Sequence, residues 1–425
     1  MLDLHLASVR RFGPRANDRM IESLMQPRRP RWARLTRPTA LLRLMKGELK
    51  DALAAGCDVV AANAELAPLC LHALQAAKEL APNLATVVGG HNATAHAKDF
   101  AGEPWVDFVV VGEGDLVLRD LVDALACGTP VTQVAGLCLA GDEGPQLTSS
   151  PAPVDLSQLG PPARQLLAMA AYGAQNHSVA MLATRGCTGS CTFCGRKLSP
   201  GQRRPPVAAV LDELEQVTSV YDGRVVHFYD NTLNASRSFL AELCEGMLAR
   251  ELSLRWTCLA RPEGLDDELV RKMARAGCVL ISFGLESGAQ HLLHGLDKGI
   301  DLGGAKEVLA CCHRHGIATR ATFVYDLPSE TLSDLGRTIA LLAAAHIDLA
   351  TFWPLELQPA APILQTLSGC LVPAPQAYGL PARRRSLGGR LLLQGKHRFF
   401  GALNAYYHHK AERLGARLGL AGAAR

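Results

Sequence analysis

The chain has 425 residues, enough for two or three domains with substantial cores. Its net charge of +4 is mild and leaves no electrostatic footprint for a polyanionic partner. No apolar run reaches membrane-spanning length and the N-terminus lacks a signal-peptide core. Thirteen cysteines, an odd number in apolar contexts, argue against a disulfide framework, so the reading is a cytoplasmic protein.

Residues 1–40 form an Arg- and Pro-rich lead-in with one predicted strand, Leu2 to Val9. Across 41–150, apolar strands alternate with helical stretches. The pattern predicts helices at 41–55, 69–80 and 116–126 and strands at 58–62, 85–88 and 108–111, a parallel α/β sheet. Gly89-Gly90 and Gly112-Glu113-Gly114 fall just past strand ends, where open α/β sheets bind ligands. The proline-rich stretch opening 151–170 is a linker. Over 171–355 the alternation repeats, with strands at 179–183, 225–229, 255–259, 279–284, 318–324 and 349–352 separated by helices. Six parallel strands make a partial TIM-like barrel, whose chemistry belongs at the C-terminal strand ends. Residues 356–425 read as a helical extension, with aromatic and positive residues in helical register from Lys396 to Tyr407. That run is short, so nucleic acid is not the expected partner.

The segment Cys187-Thr-Gly-Ser-Cys191-Thr-Phe-Cys194 is the most informative in the chain. Three thiolates on one short loop leave one iron of a 4Fe-4S cube without a protein ligand, open to a substrate or cofactor. Zinc usually takes four ligands in two separated pairs, and no second pair lies nearby. Cys57, Cys70, Cys127, Cys138, Cys244, Cys258, Cys278, Cys311, Cys312 and Cys370 read as small buried hydrophobes.

This spacing, with aromatic Phe193 before the last cysteine, resembles the radical S-adenosylmethionine (radical SAM) superfamily. The resemblance implies a 4Fe-4S cluster on Cys187, Cys191 and Cys194, with SAM held at the open iron and cleaved to a 5′-deoxyadenosyl radical. Four strand-end segments continue it. Asp230, closing His227-Phe-Tyr-Asp-Asn-Thr232, would meet the SAM ammonium; Arg261 would hold its carboxylate; Glu286, in Ser282-Phe-Gly-Leu-Glu-Ser-Gly288, would meet its ribose or amino acid end with help from Ser282. Arg320 is read as touching SAM or substrate, or else as salt-bridged. The run Thr322 to Thr331 resembles the family's G-x-P-G-E-T turn, with Asp326 and Ser329 in place of glycines.

The runs Val87 to Thr94 and Asp107 to Asp115 resemble the cobalamin-binding domain that precedes many radical SAM barrels. There Gly89, Gly90, Gly112, Glu113 and Gly114 would approach the corrin. The chain lacks the D-x-H-x-x-G loop of that domain and its first half is shortened, which leaves a Rossmann-like domain without corrin as the rival. The fold implied is α/β: a shortened, cobalamin-binding-like Rossmann domain, a partial (β/α)6 barrel and a helical extension. The function implied is hydrogen abstraction from an unactivated carbon followed by cobalamin-dependent methyl transfer to a small molecule or peptide, with flavodoxin or ferredoxin as reductant. The alternatives are rearrangement, cyclisation or oxidation without methyl transfer, and a noncatalytic iron-sulfur regulator.

Overall fold

The computed structural model describes residues 38–166, 178–195, 201–220, 225–358, 360–367, 371–372, 382–383 and 387–418. The predicted strand at 2–9 and Cys370 lie outside them. The chain divides into two compact units between Val154 and Asp155, within the stretch read as a linker.

The first unit begins with helix α1 (Pro38–Ala54), strand β1 (Val59–Asn63), helix α2 (Ala67–Leu80) and strand β2 (Ala85–Gly89). Two short helices, α3 (His91–Ala95) and α4 (Ala97–Ala101), lead to β3 (Phe108–Val110), and α5 (Gly114–Cys127) to β4 (Leu137–Leu139) and β5 (Gln146–Leu147). The sheet order is β1-β2-β3-β4-β5. The first three strands are parallel as expected, but β4 and β5 add an antiparallel edge. Strands of three and two residues are too short for alternation to register in sequence, as are five-residue helices for a 3.6 period. Successive side chains point to opposite faces, so Val88, Val109 and Cys138 meet Leu74 and Phe100, while Val87, Val110 and Leu137 meet Val117 and Leu121. Burial on both faces is why these strands read as continuous apolar runs.

In the second unit six strands stand in sequence order, all parallel: β6 (Ser178–Met181), β7 (Val225–Phe228), β8 (Arg255–Ala260), β9 (Cys278–Glu286), β10 (Ala318–Tyr325) and β11 (Leu349–Pro354). The intervening helices are α6 (Val207–Val220), α7 (Arg237–Ala249), α8 (Asp267–Arg275), α9 (Gln290–Gly295), α10 (Leu302–Arg314) and α11 (Leu332–Ala344). Local chemistry starts several of them. Asp266 caps α8 by accepting the Leu269 N–H, with Asp267 and Glu268 in the first turn against the helix dipole. Thr331 and Asp334 form a reciprocal capping box on α11. Gly277, after α8, has φ +92°, and a Cβ there would lie 2.2 Å from the Leu254 carbonyl oxygen, so only glycine fits the turn into β9.

Beyond β11 come α12 (Ile363–Thr366), a two-stranded ribbon of β12 (Leu371–Val372) and β13 (Ala382–Arg383), and α13 (Leu387–Arg417). Helix α13 extends well beyond the predicted helical register at both ends. Its contacts explain its placement. Phe400 stacks on Tyr325 and Phe352, and the Asn404 amide exchanges two 2.9 Å hydrogen bonds with the Phe352 backbone, which covers the exposed edge of β11. Among the described residues no helix is long and apolar enough to cross a membrane. Seven of the ten remaining cysteines are buried as expected, and burial pushes the Cys244 and Cys312 thiols up to about 12. Cys127 corrects the reading: it is exposed at the last turn of α5, on the solvent side of an amphipathic helix.

Lys396 on α13 reaches Glu330 at 2.6 Å, with side chains 8% and 2% exposed, and Glu330 also accepts the Asp326 N–H at 2.8 Å. Burial pushes the Glu330 carboxyl upward in pKa and Lys396 opposes it. Lys396→Met strands a buried carboxylate, and the expected cost is about 3 to 5 kcal/mol in the unfolding of the barrel unit. Adding Glu330→Gln should recover part of it in chemical denaturation; a single variant as stable as the parent would show that the pair contributes nothing.

Candidate functional site

The cysteine loop begins where β6 stops. β6 ends at Met181, two residues before its predicted end, because the Ala183 and Thr184 N–H groups turn from the sheet to the Asp230 carboxylate, at 3.1 and 2.5 Å. The Thr184 hydroxyl donates to the same carboxylate at 2.6 Å. Asp230 is fully buried; desolvation raises its pKa and these three donors oppose that rise. Asp230 is committed to backbone and hydroxyl donors, and it acts as the clamp that starts the loop.

From there Gly186, at φ +87°, turns the chain toward the cysteines. The Gly189 N–H donates to the Cys187 sulfur at 3.3 Å, and a Cβ on Gly189 would lie 3.4 Å from that sulfur and 3.7 Å from the Cys191 sulfur. The two thiols therefore converge over a residue with no side chain. The Cys194 N–H bonds the Cys191 carbonyl at 3.3 Å, which folds the third cysteine back by the second. Hydrogen bonds from the Thr192 N–H to the Leu296 carbonyl and from the Ile363 N–H to the Thr192 carbonyl hold the loop from outside. The Thr192 hydroxyl is buried with no partner among the described residues, a polar atom left for a guest.

Arg261, at the end of β8, comes to the same place. A Cβ on Gly189 would lie 3.4 Å from its Nη1, while Nε bonds Glu263 at 3.1 Å and Nη2 the Lys298 carbonyl. Its loop is pinned by Asn234, whose amide donates to the Arg261 and Glu263 carbonyls and accepts the Arg261 N–H. Asn234 escaped the sequence reading because a buried Asn that serves backbone groups has no local pattern.

Glu286 closes β9 in the left-handed region, at φ +62°, after a register shift between Thr322 and Phe323 of β10. A bulge of this kind re-aims a strand-end side chain. The carboxylate pairs with Lys298 at 2.7 Å, both side chains about nine-tenths buried. A Cβ on Gly284 would stand 2.6 Å from the Glu286 Oε1 and 3.1 Å from the Lys298 Nζ, so the pair lies over a gap that only glycine leaves. Lys298 also sits 5.6 Å from the Phe193 ring centre. Lys298 was unassigned in sequence. Asp326 and Ser329 adopt φ +66° and +63°, which explains the glycines that the resemblance expects there. Ser282 and Arg320 lie lower, paired across β9 and β10.

In the first unit the glycine turns meet through Thr94. Its hydroxyl donates to the Gly90 carbonyl at 3.0 Å and accepts the Gly112 N–H at 2.9 Å. Gly90 and Gly112 have φ of +102° and +85°. A Cβ on Gly90 would strike the Asn63 side chain at 2.6 Å, whereas one on Gly112 meets only Pro151 at 3.8 Å. Glu113 accepts the Val154 N–H at 3.1 Å, and Gly114 opens α5. The strand ends thus leave half-buried glycine backbone at Gly89, Gly90 and Gly112, with the Asn63 side chain lying over Gly90.

Residues 181–342 match the Radical SAM superfamily, and the barrel is a radical SAM domain. Over 282 residues the chain is 27% identical to an uncharacterized methyltransferase of Pyrococcus horikoshii, covering 65% of this chain and 61% of that one. Over 307 residues it is 30% identical to the anaerobic magnesium-protoporphyrin IX monomethyl ester cyclase of Cereibacter sphaeroides, covering 69% and 50%. The chain thus spans between half and two thirds of the length of these relatives. Two solved structures share the fold. The cobalamin-dependent S-adenosylmethionine radical enzyme OxsB, with aqua-cobalamin and S-adenosylmethionine bound, superposes with a TM-score of 0.72 at 16% identity, covering 89% of this chain and 63% of its own. The radical S-adenosylmethionine methyltransferase TsrM of Kitasatospora setae, with cobalamin and a [4Fe-4S] cluster bound, gives 0.67 at 18%, covering 76% and 67%. The architecture is accordingly a Rossmann-like domain followed by a radical SAM barrel.

Asp230→Asn replaces an acceptor of three hydrogen bonds by an amide that must turn a donor toward one of its partners. The expected loss is about 1 to 3 kcal/mol of stability with reduced iron content. SAM affinity in the iron-replete fraction should be retained when read by calorimetry; selective loss of SAM binding would return Asp230 to the ammonium.

Proposed function

We propose that this protein is a radical SAM enzyme whose three loop cysteines hold a 4Fe-4S cluster and which acts on an unactivated carbon of a small molecule or peptide. The convergence of the Cys187 and Cys191 thiols over Gly189, with Arg261 alongside, carries the reading. When bound, the cluster supplies the electron that cleaves SAM to a 5′-deoxyadenosyl radical. Cys187, Cys191 and Cys194 would ligate three irons. Arg261, whose Nη1 lies beside Gly189, would hold the SAM carboxylate. Glu286, fixed by Lys298 over Gly284, would take the ribose or amino acid end, and the buried Thr192 hydroxyl adds one polar contact. Phe193 and its neighbours exclude water. A one-electron donor such as flavodoxin or ferredoxin would reduce the cluster.

The methyl-transfer reading is supported by the methyltransferase relative and by the fold shared with cobalamin-dependent enzymes. Cobalamin would lie on the glycine backbone at Gly89, Gly90 and Gly112, and it would supply the methyl group. The loop after β1 is a short turn, Ala64–Leu66, without histidine. A second reading, ring formation without methyl transfer, is favoured by the cyclase relative at 30% identity.

Replacing Cys187, Cys191 and Cys194 together by Ala should abolish the broad iron-sulfur absorption and the release of 5′-deoxyadenosine from SAM under dithionite. Parent-like iron content in that variant would refute the ligand assignment, and a parent that holds its cluster but never cleaves SAM would mark a noncatalytic protein.

Gly112 tests the corrin site more cleanly than Gly90, because a side chain at Gly90 damages the domain through Asn63. Gly112→Leu costs about 1 to 2 kcal/mol for its left-handed backbone. It should block uptake of hydroxocobalamin, read by absorption after gel filtration, while iron content and SAM cleavage persist. A parent protein that takes up no corrin when refolded with it would favour cyclisation over methyl transfer.

A further inference from the structure

The barrel interior holds a cation that the reading above does not use. On β6 to β11 alternate side chains point outward to the helices: Met181, Phe228, Cys258 and Phe352 belong to that outer core. Their successors within the strands, Leu259 and Trp353, therefore face the interior; Leu182 and Tyr229 follow directly on the last residues of β6 and β7, and the Tyr229 ring lies 6.3 Å from that of His227. All four are large and apolar, yet they remain 41%, 56%, 49% and 62% exposed. At the other end of the interior, Leu280, Ala318 and Leu349 pack against Ala411, Leu414 and Leu418, and the Arg255 guanidinium ties down the Leu418 carbonyl at 3.1 Å. The end of α13 closes the floor, so the interior is a cup with an apolar rim.

Arg320 stands two residues above Ala318 on β10, in register with Ser282 of β9. Burial depresses its pKa, Tyr229 is close enough to offset part of that, and Arg320 in turn lowers the pKa of His227, itself half-buried. Because its neighbour Ala321 belongs to the outward-facing core, Arg320 projects into the interior. His227 makes its own 2.7 Å hydrogen bond to Thr257 and brings no negative charge. The carboxylates at the strand ends are engaged elsewhere: Asp230 with the loop backbone, Glu286 with Lys298, Glu330 with Lys396. Among the described residues none pairs with Arg320. A desolvated guanidinium without a counterion is costly unless a ligand supplies one.

We propose that the cup binds an amphipathic substrate, its apolar or aromatic body against Tyr229, Leu259 and Trp353 and one anionic group, a carboxylate or phosphate, on Arg320. This deepens the functional reading above and rests on it for the identification of the ligand as substrate. Arg is suited to the task because its planar fork matches both anions bidentately.

The test uses two probes of similar shape on the reconstituted protein: 8-anilinonaphthalene-1-sulfonate, an aromatic anion, and uncharged N-phenyl-1-naphthylamine. Each is titrated by fluorescence, with Trp353→Phe reporting whether the probe quenches that indole. The anion should bind at one site, quench Trp353 and bind about tenfold tighter than the neutral probe, the effect of one charge-assisted contact. Arg320→Met should erase that preference and Arg320→Lys should keep part of it; if the Met variant does not fold, the Lys variant against the parent carries the comparison. The proposal is overturned if Arg320→Met keeps the preference, if both probes weaken together, or if SAM affinity falls by the same factor, which would assign the guanidinium to the SAM carboxylate. A parent that shows the preference but neither holds iron nor cleaves SAM would refute the radical reading and leave the anion subsite standing.

Discussion

The site depends first on where the backbone leaves the first barrel strand. A strand that ends in the interior of a parallel barrel frees N–H groups that must find acceptors. Here Asp230, from the end of the neighbouring strand, accepts those of Ala183 and Thr184 and the Thr184 hydroxyl as well. A buried carboxylate is tolerable only with such a set of donors. Cys187 and Cys191, whose thiols meet over Gly189, follow within a few residues of this clamp.

The other strand ends are held by similar means. Asn234 secures the backbone around Arg261 with three hydrogen bonds, and the Glu286–Lys298 pair occupies the gap left by Gly284. Glu286, Asp326 and Ser329 all sit in left-handed conformations, each of which costs on the order of 1–3 kcal/mol. The cost concentrates along the edge where cofactor contacts are expected, while the helix-facing core carries the stability. The long C-terminal helix serves both ends, pinning the strap after β10 through Lys396 and closing the floor through Leu414.

These positioning groups leave the difficult chemistry to what the protein binds. Arg261 lies beside the Cys187 and Cys191 thiols at Gly189 and bonds the Lys298 carbonyl, Lys298 pairs with Glu286, and Arg320 stands lower on β10.

The sequence by itself determined the architecture and the cluster loop, because both rest on local signals. Six apolar strands alternate with helices, and three thiols share one loop whose spacing is legible at a glance. The sequence also located Arg261, Glu286 and Arg320 at strand ends or in strands. Tertiary structure alone decided what each does. Asp230 and a SAM-binding carboxylate look alike in sequence, and only the fold brings the Ala183 and Thr184 N–H groups to it from forty-odd residues away. Lys298 became a partner of Glu286 because a bulge turned that side chain, and Gly284 mattered because of what lies over it. Whether Arg320 was salt-bridged or available could not be read from its neighbours in sequence, since the acids that might have paired with it are placed by other strands. Long-range pairing of charges is a property of the assembled barrel, and no local pattern records it.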